Sequence, residues 1–472
     1  MKKGGNTSIL LSSFWGGSFF YFLANNRRKK EKDMKQKKRD TLYIGLALFA
    51  SYFGAGNLIF PGALGLVSGN EWSLGAIGLM ISAVLMPIVA LYVISRAGSV
   101  EALTKNIHPE FSKYLLLLIM LFAGHISVPR TGAVAYELGV QALFPKVPMA
   151  VFALFYFGIA LYFALDLSAM VDKVARYLTP ALVVILFFIV IKGVLFPIDA
   201  VAAPPQVNNV LLHSFLGGYQ TGDLLVSFLI GTVFIGDIVR RGYASDKERN
   251  GIVAKAGVIT FCLFFVIYVG LLYFGAKLSG KYPTDIDHAA LLLNIVRAIL
   301  GEKGLALLSI AVVLACLTTA IGQITSIANF FHEFTNGKLS HKQAAILFSC
   351  IGAGITLLGV EKIVFLATPI YLMVYPSVIM LMILGVFYKP LENHAPAFRV
   401  AMVFTLMVSL LEAVNAFTGL PLLQAAVDAI PLSGAGFAWL LPAITGFVLG
   451  LIYEFVKGQN RNTAPSTVNN EF

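Results

Sequence analysis

Apolar residues run through this chain in long stretches near 42–66, 74–95, 114–140, 149–167, 176–198, 211–240, 255–277, 304–331, 341–360, 363–387, 398–418 and 437–456. Each is close to the roughly 20 residues that an α-helix needs to cross the hydrocarbon core of a bilayer. The pattern predicts an all-α polytopic membrane protein with about twelve transmembrane helices. A transmembrane β-barrel would instead alternate polar and apolar residues in segments of about ten, and that alternation is absent.

Two of these stretches carry the residues least compatible with a continuous helix. The first span contains "FGAGNLIFPG" at 53–62, and the sixth opens with "FLGGYQTGD" at 215–223. Gly and Pro are the residues that cost a helix interior most. Irregular backbone at membrane depth is tolerated only where it is buried in protein or lines a cavity. Five spans separate one break from the next, so the two broken helices run in opposite directions, as in an inverted-topology repeat. An unwound segment presents free amides at one half-helix N-terminus and free carbonyls at the other half's C-terminus. The first suits a carboxylate and the second a small cation, so the paired breaks predict a substrate and ion site near the bilayer midplane.

Charge sets the orientation. The chain carries 35 Lys and Arg against 24 Asp and Glu, and only 12% of its residues are charged, whereas a soluble domain carries about 25%. Of the basic residues, 27 fall before the first span or in alternate loops, 7 in the opposite loops, and Arg130 lies within a span. By the positive-inside rule both termini are cytoplasmic. The excess charge of +11 is spread over short loops and the N-terminal tail rather than one folded face, which marks topology and not a nucleic-acid partner. The segment 9–24, "ILLSSFWGGSFFYFLA", is marginal for a span and is followed by basic residues rather than a small-residue cleavage site. Met34 then opens "MKQKKRDTLYIGLALF", and translation is expected to begin there; an interfacial helix is the other reading of the leader. Cys262, Cys316 and Cys350 lack the spacing of a disulfide framework or a zinc site and read as small core residues.

Polar residues inside spans are costly and are therefore functional candidates. Arg130 follows Pro129 in span three and is expected to pair with Glu137 or Asp223, or to touch substrate directly. Asp223 follows the second break, where it serves ion coupling or caps the next half-helix. His125 reads as a proton relay or a packing histidine. Glu412 and Asn415 in span eleven read as helix-packing or oligomer contacts, and Asp237 as an interfacial residue beside "RRG". Span eight places Thr318 beside Thr319, with Thr325 and Ser326 further along; their hydroxyls suit a hard cation such as Na+, although membrane helices also use Ser and Thr to bond their own backbone.

The segments "FGAGNLIFP", "PRTGAVAYELGV" (129–140), "GYQTGDLLVSFLIGTVFIGDIVRRG" (218–242), "ACLTTAIGQITSIANFF" and "PLSGAGFAWLLPAITG" (431–446) resemble the bacterial branched-chain amino acid:cation symporters, from about residue 37 to the last span. The resemblance implies a leucine-transporter-type fold of two inverted five-helix repeats plus two C-terminal helices. On that plan 1–40 is a cytoplasmic tail, 41–198 and 199–388 are the repeats, 389–457 holds helices eleven and twelve, and 458–472 is a second cytoplasmic tail. The implied function is uptake of leucine, isoleucine and valine across the bacterial cell membrane, coupled to Na+ or H+. Carried over residue by residue, Ala55 and Gly56 meet the substrate carboxylate with Asn57 beside them. Tyr219, Gln220 and Thr221 meet the amino group and side chain. An Na+ site takes backbone oxygens of Ala50, Phe53 and Ala315 and the hydroxyls of Thr318 and Thr319. Arg130, Asp223 and His125 are the candidates for coupling.

Other classes fit less well. No selectivity-filter segment or charged ring marks a channel, no cluster of acids, histidines or nucleophiles marks an enzyme, and no GxxxxGK[ST] marks an ATP-driven pump. The expected protein is a symporter with no cofactor, whose partners are a small amino acid, its coupling ion and membrane lipid, with no nucleic acid and no obligate protein partner. A carrier of another small neutral amino acid and a non-transporting membrane sensor are the alternatives.

Overall fold

The computed structural model describes residues 34–165, 170–198, 202–387 and 394–462. The segment 9–24 lies outside them, as do the ten C-terminal residues. Among the described residues the secondary structure is helical throughout, with no strand.

The first span is broken where the glycines predict. Helix α1 covers 34–52, Phe53 and Gly54 leave the helical conformation, and α2 runs Ala55–Ser68. Helix α3 covers 72–97, with one π-helical stretch at Ile81–Leu85. Helix α4 is Phe111–Leu143 and contains two further π-helical stretches, Ala123–Ser127 and Ala135–Val140. Helices α5 (Met149–Leu165) and α6 (Met170–Leu195) complete the first half.

The sixth span is also in two pieces. Helix α7 (Val210–Gly217) passes through a 3-10 turn at Gly218–Thr221 into α8 (Asp223–Arg240), with a bend of 46° between them. Gly222 at the corner has φ +82, a left-handed conformation that favours glycine. Then follow α9 (Asp246–Lys277), α10 (His288–Phe334), α11 (His341–Thr356), α12 (Val360–Val386), α13 (Ala395–Thr418), α14 (Pro421–Asp428) and α15 (Leu440–Asn462).

Seven helical runs among the described residues are long and apolar enough to cross a membrane, and the bent pair α7–α8 makes an eighth span. Two shorter apolar helices, Met149–Leu165 and Val183–Leu195, stand at positions expected for spans four and five. The 43-residue run Ala55–Ala97 would measure about 65 Å if straight, twice a hydrocarbon core. It is interrupted at Gly69 (φ +52), between α2 and α3. Likewise α10 leaves helical geometry at Gly301 (φ +69, ψ −170), so residues 288–300 form a separate helix ahead of the span. That helix falls in a stretch expected to be loop.

Helix α9 splints both halves of the broken first span. On α2, a Cβ at Gly65 would stand 1.9 Å from the Leu272 carbonyl oxygen, and one at Gly275 would stand 2.0 Å from the Gly62 carbonyl oxygen. The two backbones touch, and only glycine fits. On α1, the Thr260 hydroxyl donates to the Gly45 carbonyl at 2.9 Å. Helix α3 approaches α7 in the same way, a Cβ at Gly78 lying 2.2 Å from the Leu211 carbonyl oxygen. Helices α13 and α15 pair through Gly446 and Gly450 against the backbone of Val400 and Ala397. These are the close approaches through which membrane helices associate when lipid supplies no hydrophobic drive.

Of the cysteines only Cys316 is buried; Cys262 and Cys350 are exposed on α9 and α11, which corrects their expected place in the core. Their helices face outward there, and Cys tolerates an apolar exterior as a small hydrophobe.

Candidate substrate and ion site

The two breaks meet. Gly56, in the first turn of α2, faces the second break so closely that a Cβ on it would lie 3.3 Å from the Gln220 backbone oxygen. Arg130 of α4 fills the remaining side: the same Cβ would stand 3.1 Å from Arg130 Nη2 and 3.2 Å from its Cζ. Arg130 Nη1 donates to the Gln220 carbonyl at 2.7 Å, and its guanidinium lies over the Phe60 ring at 5.7 Å. Arg130 is 4% exposed, and among the described residues its Nε has no partner and no carboxylate comes within ion-pair distance of it. The expected pairing with Glu137 or Asp223 is therefore corrected. Glu137 Oε1 accepts instead from the Val360 N–H at 2.9 Å, capping α12, because Gly359 (φ +80) brings that N-terminus against it.

Asn57 holds the first break in shape. Its Oδ1 accepts from the Gly54 N–H at 2.8 Å, and its Nδ2 donates to Asp223 Oδ2 at 2.8 Å and to the Tyr268 hydroxyl. With both ends of its amide bonded inside the protein and 1% exposure, Asn57 braces the site. Asp223 begins α8 and is 1% exposed. Its Oδ2 is held by Asn57 and Tyr268, while its Oδ1 is buried without a partner. Tyr52, the last residue of α1, bonds Ser227 of α8 at 2.9 Å, so both halves of the first span are tied to the second.

In the second break, Tyr219 stacks on Tyr375 with centroids 4.3 Å apart, and its hydroxyl is buried and unpartnered. The Gln220 side chain donates to Thr368 at 2.8 Å, and the Gln220 backbone oxygen also accepts from Tyr371 at 3.3 Å. Thr221 donates to the Gly218 carbonyl at 2.9 Å. Gly56 and Gln220 thus meet at one junction, which Arg130 touches from α4 and to which Asp223 is tied through Asn57.

The proposed ion ligands are less tightly gathered. Thr318 and Thr319 both donate to the Ala315 carbonyl, at 2.9 and 3.0 Å, leaving hydroxyl lone pairs free on one turn of α10. Phe53 directs its ring to Phe49 and Phe264, so that any ligation from it or from Ala50 uses backbone oxygen. Thr325 and Ser326 bond their own helix at Ile321 and Gly322. His125 bonds the Leu121 carbonyl of its own helix at 2.8 Å and meets Phe348 edge-on, as a packing histidine would. Asp237 pairs with Arg240 and Arg241, as an interfacial residue would. Glu412 is buried in α13, and Asn415 bonds Gln424 of α14 at 2.7 Å.

Tyr268 escaped the sequence reading. A tyrosine in the middle of a span, away from the interfacial belt where that residue usually sits, is the signal that could have found it.

Two broken helices that meet inside an all-helical bundle define the class: a multi-pass membrane protein with the leucine-transporter-type fold. The fold matches the solved inward-facing conformation of Mhp1 with a TM-score of 0.60 at 12% identity, over 88% of this chain and 91% of that one. It also matches a substrate-bound, outward-open Na+-coupled sialic acid symporter with a TM-score of 0.51 at 16% identity, over 87% and 90%. Within that class, residues 37–457 match the model of the branched-chain amino acid transport protein family, and the chain belongs to it. It is 30% identical over 436 residues to the branched-chain amino acid permease BraB of Bacillus subtilis (strain 168), covering 90% of this chain and 97% of BraB. It is 29% identical over 430 residues to the permease BrnQ of the same organism, covering 88% and 97%. Its relatives are transport permeases and not enzymes.

Proposed function

We propose that this chain imports leucine, isoleucine and valine across the bacterial cell membrane, coupled to Na+ or H+, by alternating access around the junction of the two breaks. The observation that carries this reading is the approach of Gly56 to the Gln220 carbonyl, which brings the backbones of the two breaks together at one point beside the buried Arg130. The first turn of α2, at Ala55 and Gly56, offers amides to a carboxylate. The second break offers Tyr219, Gln220 and Thr221 to the rest of the substrate. The Ala315 carbonyl and the Thr318 and Thr319 hydroxyls, with backbone oxygens of Ala50 and Phe53, form a donor set of hard oxygens suited to Na+. The sialic acid symporter of like fold is Na+-coupled, which favours Na+ over H+. Residues 41–198 and 199–388 are the two inverted repeats in this reading, 389–457 carries accessory helices, and both termini are cytoplasmic.

Alternation follows from the packing. The α1–α2 pair, gripped by α9, and the α7–α8 pair against α3 make the body that rocks, while α4, α5, α10 and α11 make the frame. One extra methylene changes binding by about 1–3 kcal/mol, so discrimination among leucine, isoleucine and valine is modest. The test is uptake of labelled leucine into proteoliposomes under an imposed Na+ gradient in one set and an imposed H+ gradient in another. Accumulation competed by valine and isoleucine is expected with Na+. Accumulation with H+ alone would refute the oxygen-ligated Na+ site, and none under either gradient, in folded protein, would refute branched-chain transport.

A further inference from the structure

Arg130 and Asp223 are buried, are a base and an acid, and are both lodged at the junction of the breaks, yet they do not close on one another. Arg130 touches the first break at Gly56 and the second at the Gln220 carbonyl. Asp223 touches the first break one residue on, at Asn57, and lies three residues along the second. Each keeps bonding capacity unused: Nε of Arg130 has no partner, and neither does Oδ1 of Asp223. A buried guanidinium with no carboxylate in ion-pair contact among the described residues is an unusual and costly arrangement in a membrane protein. The carboxylate one would look for, Glu137, is turned away to cap α12.

Both side chains are held in place by other groups. Phe60 lies beneath the guanidinium, and Asn57 with Tyr268 fixes Oδ2 of Asp223, leaving the other oxygen to act as acceptor. Resting on the transport reading above, we infer that Arg130 and Asp223 are the two jaws of a clamp for an α-amino acid zwitterion, Arg130 taking the carboxylate and Asp223 the ammonium. A zwitterion carries its two charges on one carbon, so it satisfies both side chains at once. Guanidinium suits the task because it presents a planar fork to a carboxylate. The clamp reads only the part common to all α-amino acids, and selection of the branched side chain is left to apolar walls elsewhere in the site.

The test is a cycle of ligand and protein changes on the full-length purified protein. Binding of labelled leucine is competed by leucinol, which lacks the carboxylate, and by 4-methylpentanoate, which lacks the amine. In the wild type each analogue is expected to compete on the order of 100-fold less well than leucine, the loss of a buried charge-assisted pair. In Arg130→Gln the leucinol deficit should shrink to under about tenfold while the 4-methylpentanoate deficit persists; in Asp223→Asn the two should exchange. Arg130→Lys keeps the buried cation and is gentler on folding, and should show a reduced leucinol deficit through loss of the fork. Wild-type competition by either analogue within about threefold of leucine overturns the clamp without any variant having to fold. Analogue deficits in the folded variants equal to those of the wild type overturn it as well. A folded wild type that binds no leucine overturns the transport reading, and the clamp with it.

Discussion

A single methyl group at Gly56 tests whether the junction of the breaks is as tight as described. In Gly56→Ala the new Cβ would stand 3.1 Å from Arg130 Nη2, 3.2 Å from Cζ and 3.3 Å from the Gln220 carbonyl oxygen. Ordinary contacts between such atoms are about 3.5–4.0 Å, so several tenths of an ångström must be found. The Gln220 oxygen is backbone, fixed by the corner at Gly222, and the guanidinium is therefore what gives way. Losing its hydrogen bond to that carbonyl costs about 1.5–3 kcal/mol, roughly 10- to 150-fold in any step that depends on Arg130 being in place. Gly56 has an ordinary helical backbone, and Ala in its place gains about 0.5–1 kcal/mol of helix propensity, which offsets part of the crowding. The expected outcome is a protein that folds with a melting temperature close to the wild type and transports leucine with kcat/KM lowered about 10- to 150-fold. Uptake kinetics in proteoliposomes, paired with thermal melting in detergent, make the measurement. Gly158→Ala is the control, since a Cβ there meets nothing within 4 Å on the exposed face of α5. A folded Gly56→Ala variant with kcat/KM within about twofold of the wild type would refute the reasoning, because the methyl would then have been accommodated without disturbing Arg130.

Three further outcomes are expected. Gly65→Ala places a Cβ 1.9 Å from the Leu272 carbonyl, which is backbone and cannot turn aside, so folded monodisperse protein should be lost on size exclusion, at a cost above about 3 kcal/mol. Tyr268→Phe removes the hydroxyl shared by Asn57 and Asp223; the protein should fold, while leucine uptake falls by about tenfold, the effect of one buried group losing a partner. Thr318→Ala with Thr319→Ala removes two hydroxyls whose only described bonds run to the Ala315 carbonyl, so helix stability should change by under about 1 kcal/mol. The cation concentration for half-maximal uptake should rise well beyond any change in leucine KM, and unchanged cation dependence would remove this turn from the ion site.

The breaks were legible because their signal is local. Gly and Pro in an apolar run have few readings, and both interruptions fall where "FGAGN" and "GGYQTGD" place them. Helix positions were legible for the same reason, within a few residues at most ends. Partnerships across the bundle were not. Asn57 reads as a ligand residue because a polar side chain beside an unwound segment has two uses, and only the fold shows that Gly54, Asp223 and Tyr268 occupy it. Arg130 reads as half of an ion pair because a carboxylate is the ordinary answer to a buried cation. Its partner is a main-chain oxygen, Gln220, and a backbone acceptor leaves no trace in residue type. The helix at 288–300 escaped because thirteen residues, although mostly apolar, fall short of the roughly 20 that mark a span, while Gly301 hid its separation from the span that follows.

The grip of α9 on both halves of the first span has a practical consequence. A break flanked by two helices that are each pinned to a third cannot act as a loose joint, since bending at Phe53 and Gly54 would tear Gly45 from Thr260 or Gly62 and Gly65 from Leu272 and Gly275. The notch keeps its shape and travels with its splint. A fluorophore or spin label on the exposed N-terminal end of α9 should therefore act as a remote pointer to the position of the buried notch, and its distance to a second label on α11 should track each turnover.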